Sequence, residues 1–392
     1  MIVKVSGLMN FATSPERDAL ADIARRFGQQ HLAPFYQQRE REGAFDRPTL
    51  REMGRLGFFG VELPAEYGGL GLDCVTAGLV LEALSAADYN IGQLMVTVSL
   101  AGSMLAAHGD KYVVEPWLRS ILAGETIPAI ALTEPGGGSD AANLAMHARR
   151  DGDNYVLDGE KTSTSFATQA GIAVVWARTG PPGSGAYGIS AFLVPLDLPG
   201  ITTTEFEDLG GRCAGRGSLY LDGVRVPASH LVGAENRGFV QVMQGFDYSR
   251  ALIGLQCLAV ARQSLDETWA SAAERESFGK PLTAYQGVTF PLAEAETHIH
   301  ACRLMCLHTL WLKDQGLSHT AEAAMCKWWG PKLAFEVVQN CLLINGHGAY
   351  TTEMPYEQRL RDVLGLQIGD GTAQIMKLVI ARHKAGRKGA AM

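Results

Sequence analysis

Between about Thr126 and Val232 the chain breaks into short apolar runs, TIPAIAL, NYVLDG, IAVVWAR, GISAFLVP and LYLDGVRVP, separated by Gly, Pro and Asp-Gly pairs. Runs of that length bounded by turn formers read as strands, and Asp158-Gly159 and Asp222-Gly223 have the form of two-residue hairpin turns. Strands joined by hairpins build an antiparallel sheet, so this segment is expected as a β domain rather than as alternating β-α units. A Rossmann domain is thereby disfavoured, and with it a nicotinamide enzyme built on one.

The sequence on both sides is helical. Ser14 before Pro15 has the form of an N-cap with proline at the first helical position, and Leu20, Ile23, Ala24 and Phe27 follow at helical spacing. A second start lies at Asp46 to Pro48, and the glycines of EYGGLGLD, from Glu66 to Asp73, suit a tight turn between helices. From Asn90 to Gly109 no residue is formally charged, a length that would span a membrane. That stretch nevertheless holds Asn90, Gln93, Thr97, Ser99, Ser103 and His108, which favours a buried helix. No proline occurs between Pro227 and Pro281, leaving room for two long helices. Later, Met325, Trp329, Leu333 and Val337 keep one face apolar, with Pro331 marking a kink or a start. The expected class is α+β: an N-terminal all-helical domain at 1–125, a middle antiparallel β domain at 126–232, and a C-terminal helical bundle at 233–392.

Composition removes several functions. With 34 Lys+Arg against 41 Asp+Glu the formal net charge is −7. Affinity for nucleic acid or acidic lipid needs a basic surface, so neither partner is expected, and no membrane association. Seven scattered cysteines without a C-x-x-C pair exclude a disulfide framework and a zinc ribbon. A reducing cytoplasmic location is expected, and MIVKVSGLMN lacks the apolar core and cleavage site of a signal peptide. His298, His300, Cys302, Cys306 and His308 lie close in sequence, but on a helix His300 points away from the face shared by His298, Cys302 and Cys306, so no metal site is expected. There is no G-x-S-x-G nucleophile motif.

ALTEPGGGSD, residues 131–140, stands apart. Three glycines let the backbone approach a ligand, and the amides with the hydroxyls of Thr133 and Ser139 supply donors suited to phosphate or to the edge of a heteroaromatic ring. By itself the segment would more readily be a structural turn. It is followed by FDYSR (Asp247, Arg250), by RESFGKPLTAYQ (Arg275 to Gln286) and by LQIGDGTAQIMKLVIAR. In this order, over nearly the whole length, the four motifs resemble those of the acyl-CoA dehydrogenase family, flavin enzymes with helical, β and helical domains.

The resemblance implies FAD as cofactor and an acyl-CoA thioester as substrate, dehydrogenated between Cα and Cβ. Such chemistry needs a base for an α-proton, a hydride acceptor and donors for the developing enolate oxygen. By the match Asp370 is the base, and its own backbone N–H holds the thioester oxygen together with an FAD hydroxyl. Gly371 lets the backbone pass close to the substrate, and Asp247 and Arg250 bind it. Thr133 and Ser165 would meet the isoalloxazine edge, and Ser139 would sit between the FAD pyrophosphate and the CoA chain. Arg275, Phe278, Gln286, Thr372 and Gln374 would contact FAD, Arg275 as the pyrophosphate partner. The family further implies a homotetramer whose subunits complete each other's FAD sites, and electron-transfer flavoprotein as electron acceptor.

Departures from the family pattern narrow the reading. The usual base is Glu, and Asp370 is shorter by one methylene, about 1.5 Å of reach. The alternative base position of some relatives falls on Ser249, which is no carboxylate. In the flavin loop the usual K-x-W-x-T becomes Lys161-Thr162-Ser163-Thr164-Ser165, losing an indole; Asn143 replaces a small residue, Leu343 a Gln and His347 a Gly. An Asp base with this loop resembles dehydrogenases of alicyclic thioesters such as cyclohexanecarboxyl-CoA. The competing readings are a dehydrogenase of a carrier-protein-bound acyl thioester, the same chemistry run as a reduction, and a non-catalytic flavoprotein using the basic segment ARHKAGRKGAAM; that segment reads as a solvated tail.

Overall fold

A computed structural model describes residues 14–181 and 183–386. The first ten residues, read above for a targeting signal, lie outside the described residues, as does the tail beyond 386. Six helices come first: α1 (Pro15–Phe27), α2 (Tyr36–Glu42), α3 (Arg47–Arg55), α4 (Cys74–Ala87), α5 (Tyr89–His108) and α6 (Lys111–Leu122). Both expected starts are capped as read: Ser14 Oγ accepts from the Arg17 N–H at 3.2 Å, and Asp46 Oδ2 from the Thr49 N–H at 3.1 Å. In the EYGGLGLD turn Gly68 and Gly71 are left-handed, and Asp73 then caps α4 through the Thr76 N–H. The uncharged stretch is α5, mostly buried between α4, α7 and α6.

The β domain holds β1 (Pro128–Ala131), β2 (His147–Asp151), β3 (Asn154–Thr164), β4 (Ile172–Arg178), β5 (Ile189–Pro195), β6 (Ile201–Glu205), β7 (Gly217–Pro227) and β8 (Leu231–Val232). They form one sheet in the order β6-β7-β3-β2-β4-β5-β8, with β1 beside β4. The sheet is mixed rather than purely antiparallel: β1 runs parallel to β4, Pro128 opposite Ile172, and β2 meets the end of β4 in the same sense. The β2–β3 hairpin is inserted between β1 and β4, and such an excursion lets the two strands run side by side in one direction. The Asp-Gly expectation also fails in an informative way. Both pairs lie inside long strands and face each other, where the register jumps from Leu157 opposite Val224 to Gly159 opposite Leu221. Gly223 is left-handed there, and its N–H donates to Asp158 Oδ1 at 2.7 Å. A glycine with positive φ suits a bulge as well as a turn, and the real two-residue turn is Gly152-Asp153 between β2 and β3.

The run IAVVWAR is apolar throughout because both faces of β4 are covered. Ile172, Val174 and Trp176 join the core shared with the helices, while Ala173, Val175 and Ala177 join a second core with Leu157, Leu219 and Val224. Trp176 fastens the sheet to the last third of the chain, its Nε1 donating to the Gly238 carbonyl at 3.0 Å.

That last third begins with α7 (Gly238–Glu274), a single helix of 37 residues where two were expected. Its sequence offers no break, and α9, α4, α8 and α5 surround it. A small hairpin, β9 (Glu276–Ser277) and β10 (Lys280–Pro281), leads to α8 (Gln286–Asp314), α9 (Thr320–Asn345), α10 (Tyr356–Gly365) and α11 (Ala373–Ala385). Pro331 lies inside α9, which runs through it. Just before it, a Cβ on Gly330 would stand 2.9 Å from the Gly254 Cα, so α7 and α9 cross backbone to backbone at two glycines. One turn back on each helix from this crossing stand Arg250 and Lys327.

Candidate active site

Asp370 lies in the turn between α10 and α11. Its φ is +54°, and that of Gly371 is +99°. A Cβ on Gly371 would come within 2.6 Å of Met376 Cε, so the second position is built for glycine. Thr372 then caps α11, accepting from the Ile375 N–H at 3.3 Å, and Gln374 is exposed on its first turn. Asp370 is open to solvent at its surface yet partly desolvated by the protein around it. Those surroundings raise its pKa above the usual carboxylate range, against the opposing charges of Lys327 and Arg250.

Arg250 is nearly buried on α7, and its Nη1 donates to Asp247 Oδ1 at 3.2 Å. The other oxygen of Asp247 accepts from Thr320 Oγ1 at 2.5 Å. Arg250 Nη2 lies 3.9 Å from where a Gly371 Cβ would stand, while its Nε has no hydrogen-bond partner among the described residues. Desolvation lowers the pKa of Arg250, opposed by Asp247 and Asp370. Ser249, the other candidate base position, is fully buried, and its Oγ donates to the Phe246 carbonyl at 3.5 Å.

The 131–140 loop is anchored from below. Buried Glu134 accepts from Lys161 Nζ at 2.6 Å and from the N–H groups of Ala145 and Met146 at 2.5 and 2.9 Å. The Thr133 carbonyl accepts from the Thr162 N–H at 2.8 Å, which sets the loop beside the segment carrying Ser163 and Ser165. Ser163 and Phe166 both have positive φ, and Ser163, in the place of the lost indole, is exposed. Ser165 Oγ accepts from Gln93 Nε2 at 3.1 Å. Tyr89, one turn earlier on α5, feels the charge of Asp370. Thus α5 holds the Ser165 loop through Gln93 and, one turn earlier, comes within the electrostatic reach of the carboxylate.

The fit to a phosphate-bearing flavin rests on Gly136 and Gly137. Neither has positive φ, and a Cβ on either would meet nothing within 4 Å. This chain's own packing therefore does not demand glycine there; bare backbone faces open space beside Thr133 and the exposed Ser139. Donors and room together match the cofactor. Nearby, a cavity of about 470 Å³ is lined by Glu134 to Gly137, Asp140, Asn143 to His147 and Asp158 to Glu160.

The remaining expected residues stand elsewhere. Arg275, Phe278 and Gln286 are exposed around the β9–β10 hairpin; Arg275 Nη1 donates to the Asn345 carbonyl at 3.0 Å, and Phe278, at φ +51°, is 98% exposed. Among the described residues no hydrogen bond or ion pair joins them to the Asp370 cluster. Leu343 and His347 are exposed at the same end as Asn345. Lys327, Gln93 and Thr320 were not singled out in the sequence. A lysine in the otherwise apolar stretch AAMCKWWG was the one available signal.

Three family models cover the chain in order: the acyl-CoA dehydrogenase N-terminal domain at residues 14–125, the middle domain at 129–224 and the C-terminal domain at 236–385. A probable acyl-CoA dehydrogenase of Bacillus subtilis, YngJ, is 34% identical over 377 residues, 96% of this chain and 99% of that protein. The mouse mitochondrial short-chain specific acyl-CoA dehydrogenase is 35% identical over 366 residues, 93% of this chain and 89% of its own. Butyryl-CoA dehydrogenase from Megasphaera elsdenii superposes with a TM-score of 0.92 at 28% identity, over 96% of this chain and 100% of that one.

Proposed function

Since the chain belongs to the acyl-CoA dehydrogenase family, FAD-dependent oxidoreductases acting on the CH–CH group of acyl-CoA, we propose that Asp370 is its catalytic base. The observation that carries this reading is the placement of one exposed carboxylate on a turn of two left-handed residues, in the field of two cations, Lys327 and Arg250. Its raised pKa makes it a stronger base than a free carboxylate. Asp370 accepts the α-proton, and its backbone N–H, freed by the glycine that follows, faces the thioester oxygen. Arg250 and Asp247 line the substrate side of α7. Thr133, Ser165 and Ser139 hold the cofactor from the β domain, with Thr372 and Gln374 at the start of α11. Bound FAD supplies the acceptor for the β-hydride.

Arg275, Phe278 and Gln286 act on the FAD of a second subunit in a homotetramer, which accounts for their exposure here. Electron-transfer flavoprotein is the proposed acceptor. For the acyl group we favour one that is bulky at Cα, such as an alicyclic ring. Asp370 is retracted, Ser163 stands in place of an indole, and Gly369 before the base carries no side chain although a Cβ there would meet only ordinary contacts of 3.7 and 3.9 Å. The test is anaerobic bleaching of the flavin by straight, branched and cyclic acyl-CoA esters. Faster reduction by butyryl- or octanoyl-CoA than by cyclohexanecarboxyl-CoA would end the alicyclic reading. Asp370→Asn should keep its yellow FAD and lose turnover by about two to four orders of magnitude; full activity in that variant would move the base elsewhere.

A further inference from the structure

Lys327 has no exposed surface, and it sits in the middle of α9 among Ala323, Ala324 and Cys326. A lysine in such a place must be satisfied by something specific. Its ammonium donates to two backbone carbonyls, Leu366 at 2.7 Å and Gly371 at 2.8 Å. Those two residues bracket the turn that carries Asp370. The turn needs an external hold, because Asp370 and Gly371 are left-handed in succession and Asp at φ +54° is not at its backbone minimum. Among the described residues the backbone hydrogen bonds within the turn end at Gly369, whose N–H reaches the Gly365 carbonyl at 3.0 Å. Beyond that point the connection to the protein beneath is made by Lys327.

The position of the ammonium is itself fixed. Gly330 and Gly254 bring α9 and α7 into backbone contact one turn away, so Lys327 rises between α7 and the turn. The groups that face it are Asp370 from the turn and Arg250 and Cys257 from α7. Asp370 is the only carboxylate among them, and Arg250 is occupied by Asp247.

We propose that Lys327 is a positioning residue, clamping both ends of the 366–371 turn through two carbonyls and so holding the Asp370 carboxylate where it meets the α-proton. This rests on the reading of Asp370 as the base. A second consequence is electrostatic: the same ammonium, ahead of Arg250, favours the ionised form of Asp370 when thioester covers it and expels water. Burial lowers the pKa of Lys327 to about 8, so it is charged at neutral pH, and the clamp's charge is lost in the mildly alkaline range.

The experiment uses the FAD-loaded enzyme and three variants, Lys327→Met, Lys327→Gln and Asp370→Asn, with kcat and KM followed across pH. Lys327→Gln keeps a donor without charge: the acid limb of kcat/KM should move up by about one pH unit, with most of the plateau kept. Lys327→Met removes donor and charge: the limb should move likewise, and the plateau kcat should fall at least about tenfold with KM within about twofold, because the clamp does not touch substrate. A lysine that only filled space would leave the acid limb in place. If Lys327→Met does not fold, the limb in Lys327→Gln decides alone. An unmoved limb in either folded variant overturns the proposal. If at the same time Asp370→Asn is inactive, the base assignment stands and only the clamp has failed. If Asp370→Asn turns over normally, the base assignment itself has failed, and the clamp with it.

Discussion

Lys161→Met should weaken the whole protein although it touches no proposed reacting atom. Lys161 Nζ lies 2.6 Å from Glu134 Oε1 and 3.1 Å from the Leu132 carbonyl, and the side chains of the pair are 0% and 9% exposed. Burial pushes the ammonium down to about 8, which leaves it charged at neutral pH. Without it, Glu134 keeps the N–H groups of Ala145 and Met146 but no counter-charge. Removing one partner of a buried pair costs about 3–5 kcal/mol, against about 0–1 kcal/mol for an exposed pair such as Arg55 with Glu52. At an unfolding entropy of about 2.1 cal/mol/K per residue over 392 residues, that is a Tm drop of about 4–6 °C. The loss is also local, because Glu134 ties the 131–140 loop to Ala145 and Met146, so FAD should dissociate faster in the same variant. Melting of the FAD-loaded protein followed by flavin fluorescence, together with FAD release on dilution, measures both. The double variant Glu134→Gln/Lys161→Met leaves no bare charge and should recover part of the loss. A single variant melting within about 1 °C of the parent, or a double variant worse than the single, would refute the reasoning.

Gly371→Ala should fold and bind FAD yet lose turnover at least about tenfold, because a Cβ at φ +99° and 2.6 Å from Met376 Cε must displace the turn; stopped-flow reduction of the flavin by thioester measures it. Asp362 gives a pH effect on stability. Burial pushes this carboxyl up to about 7 although Tyr36 Oη and the Gly211 N–H donate to it at 2.5 and 2.7 Å. A raised acid holds its proton in the fold at pH values where the unfolded chain has released it. Its contribution is therefore whole below about 3.8 and lost as pH rises to about 7. Asp362→Asn should flatten the denaturant midpoint against pH between those values, and an unchanged slope would assign it to other groups.

Much of the fold was legible because its signals are local. The caps at Ser14 and Asp46 act over three residues, and the run from Ile172 to Arg178 announces a strand covered on both faces. What was misread depends on partners distant in sequence. Asp158-Gly159 and Asp222-Gly223 carry the chemistry of a turn, and only their pairing across β3 and β7 makes them a bulge. Pro331 reads as a kink or a start; it is not a start, since α9 runs through it where α7 packs against Gly330 at Gly254. The hydroxyls and the carboxylate of the site were found through motifs, whereas Lys327 and Gln93 were not, since each acts through a contact with a segment far along the chain. A buried lysine reveals its purpose only when its two carbonyls are seen.

The span of α5 bears on how such an enzyme could be re-engineered. The groups proposed to do chemistry come from the second and last thirds of the chain, but the helix that meets the Ser165 loop through Gln93 comes from the first, and one turn earlier on it Tyr89 lies within the electrostatic reach of Asp370. Grafting the turn around Asp370 from a relative would move the base and leave behind the ruler against which its distance is set. Altered acyl preference is better sought by exchanging that turn together with α5, and a one-residue insertion between Tyr89 and Gln93 would rotate one end by about 100° relative to the other while leaving every motif intact.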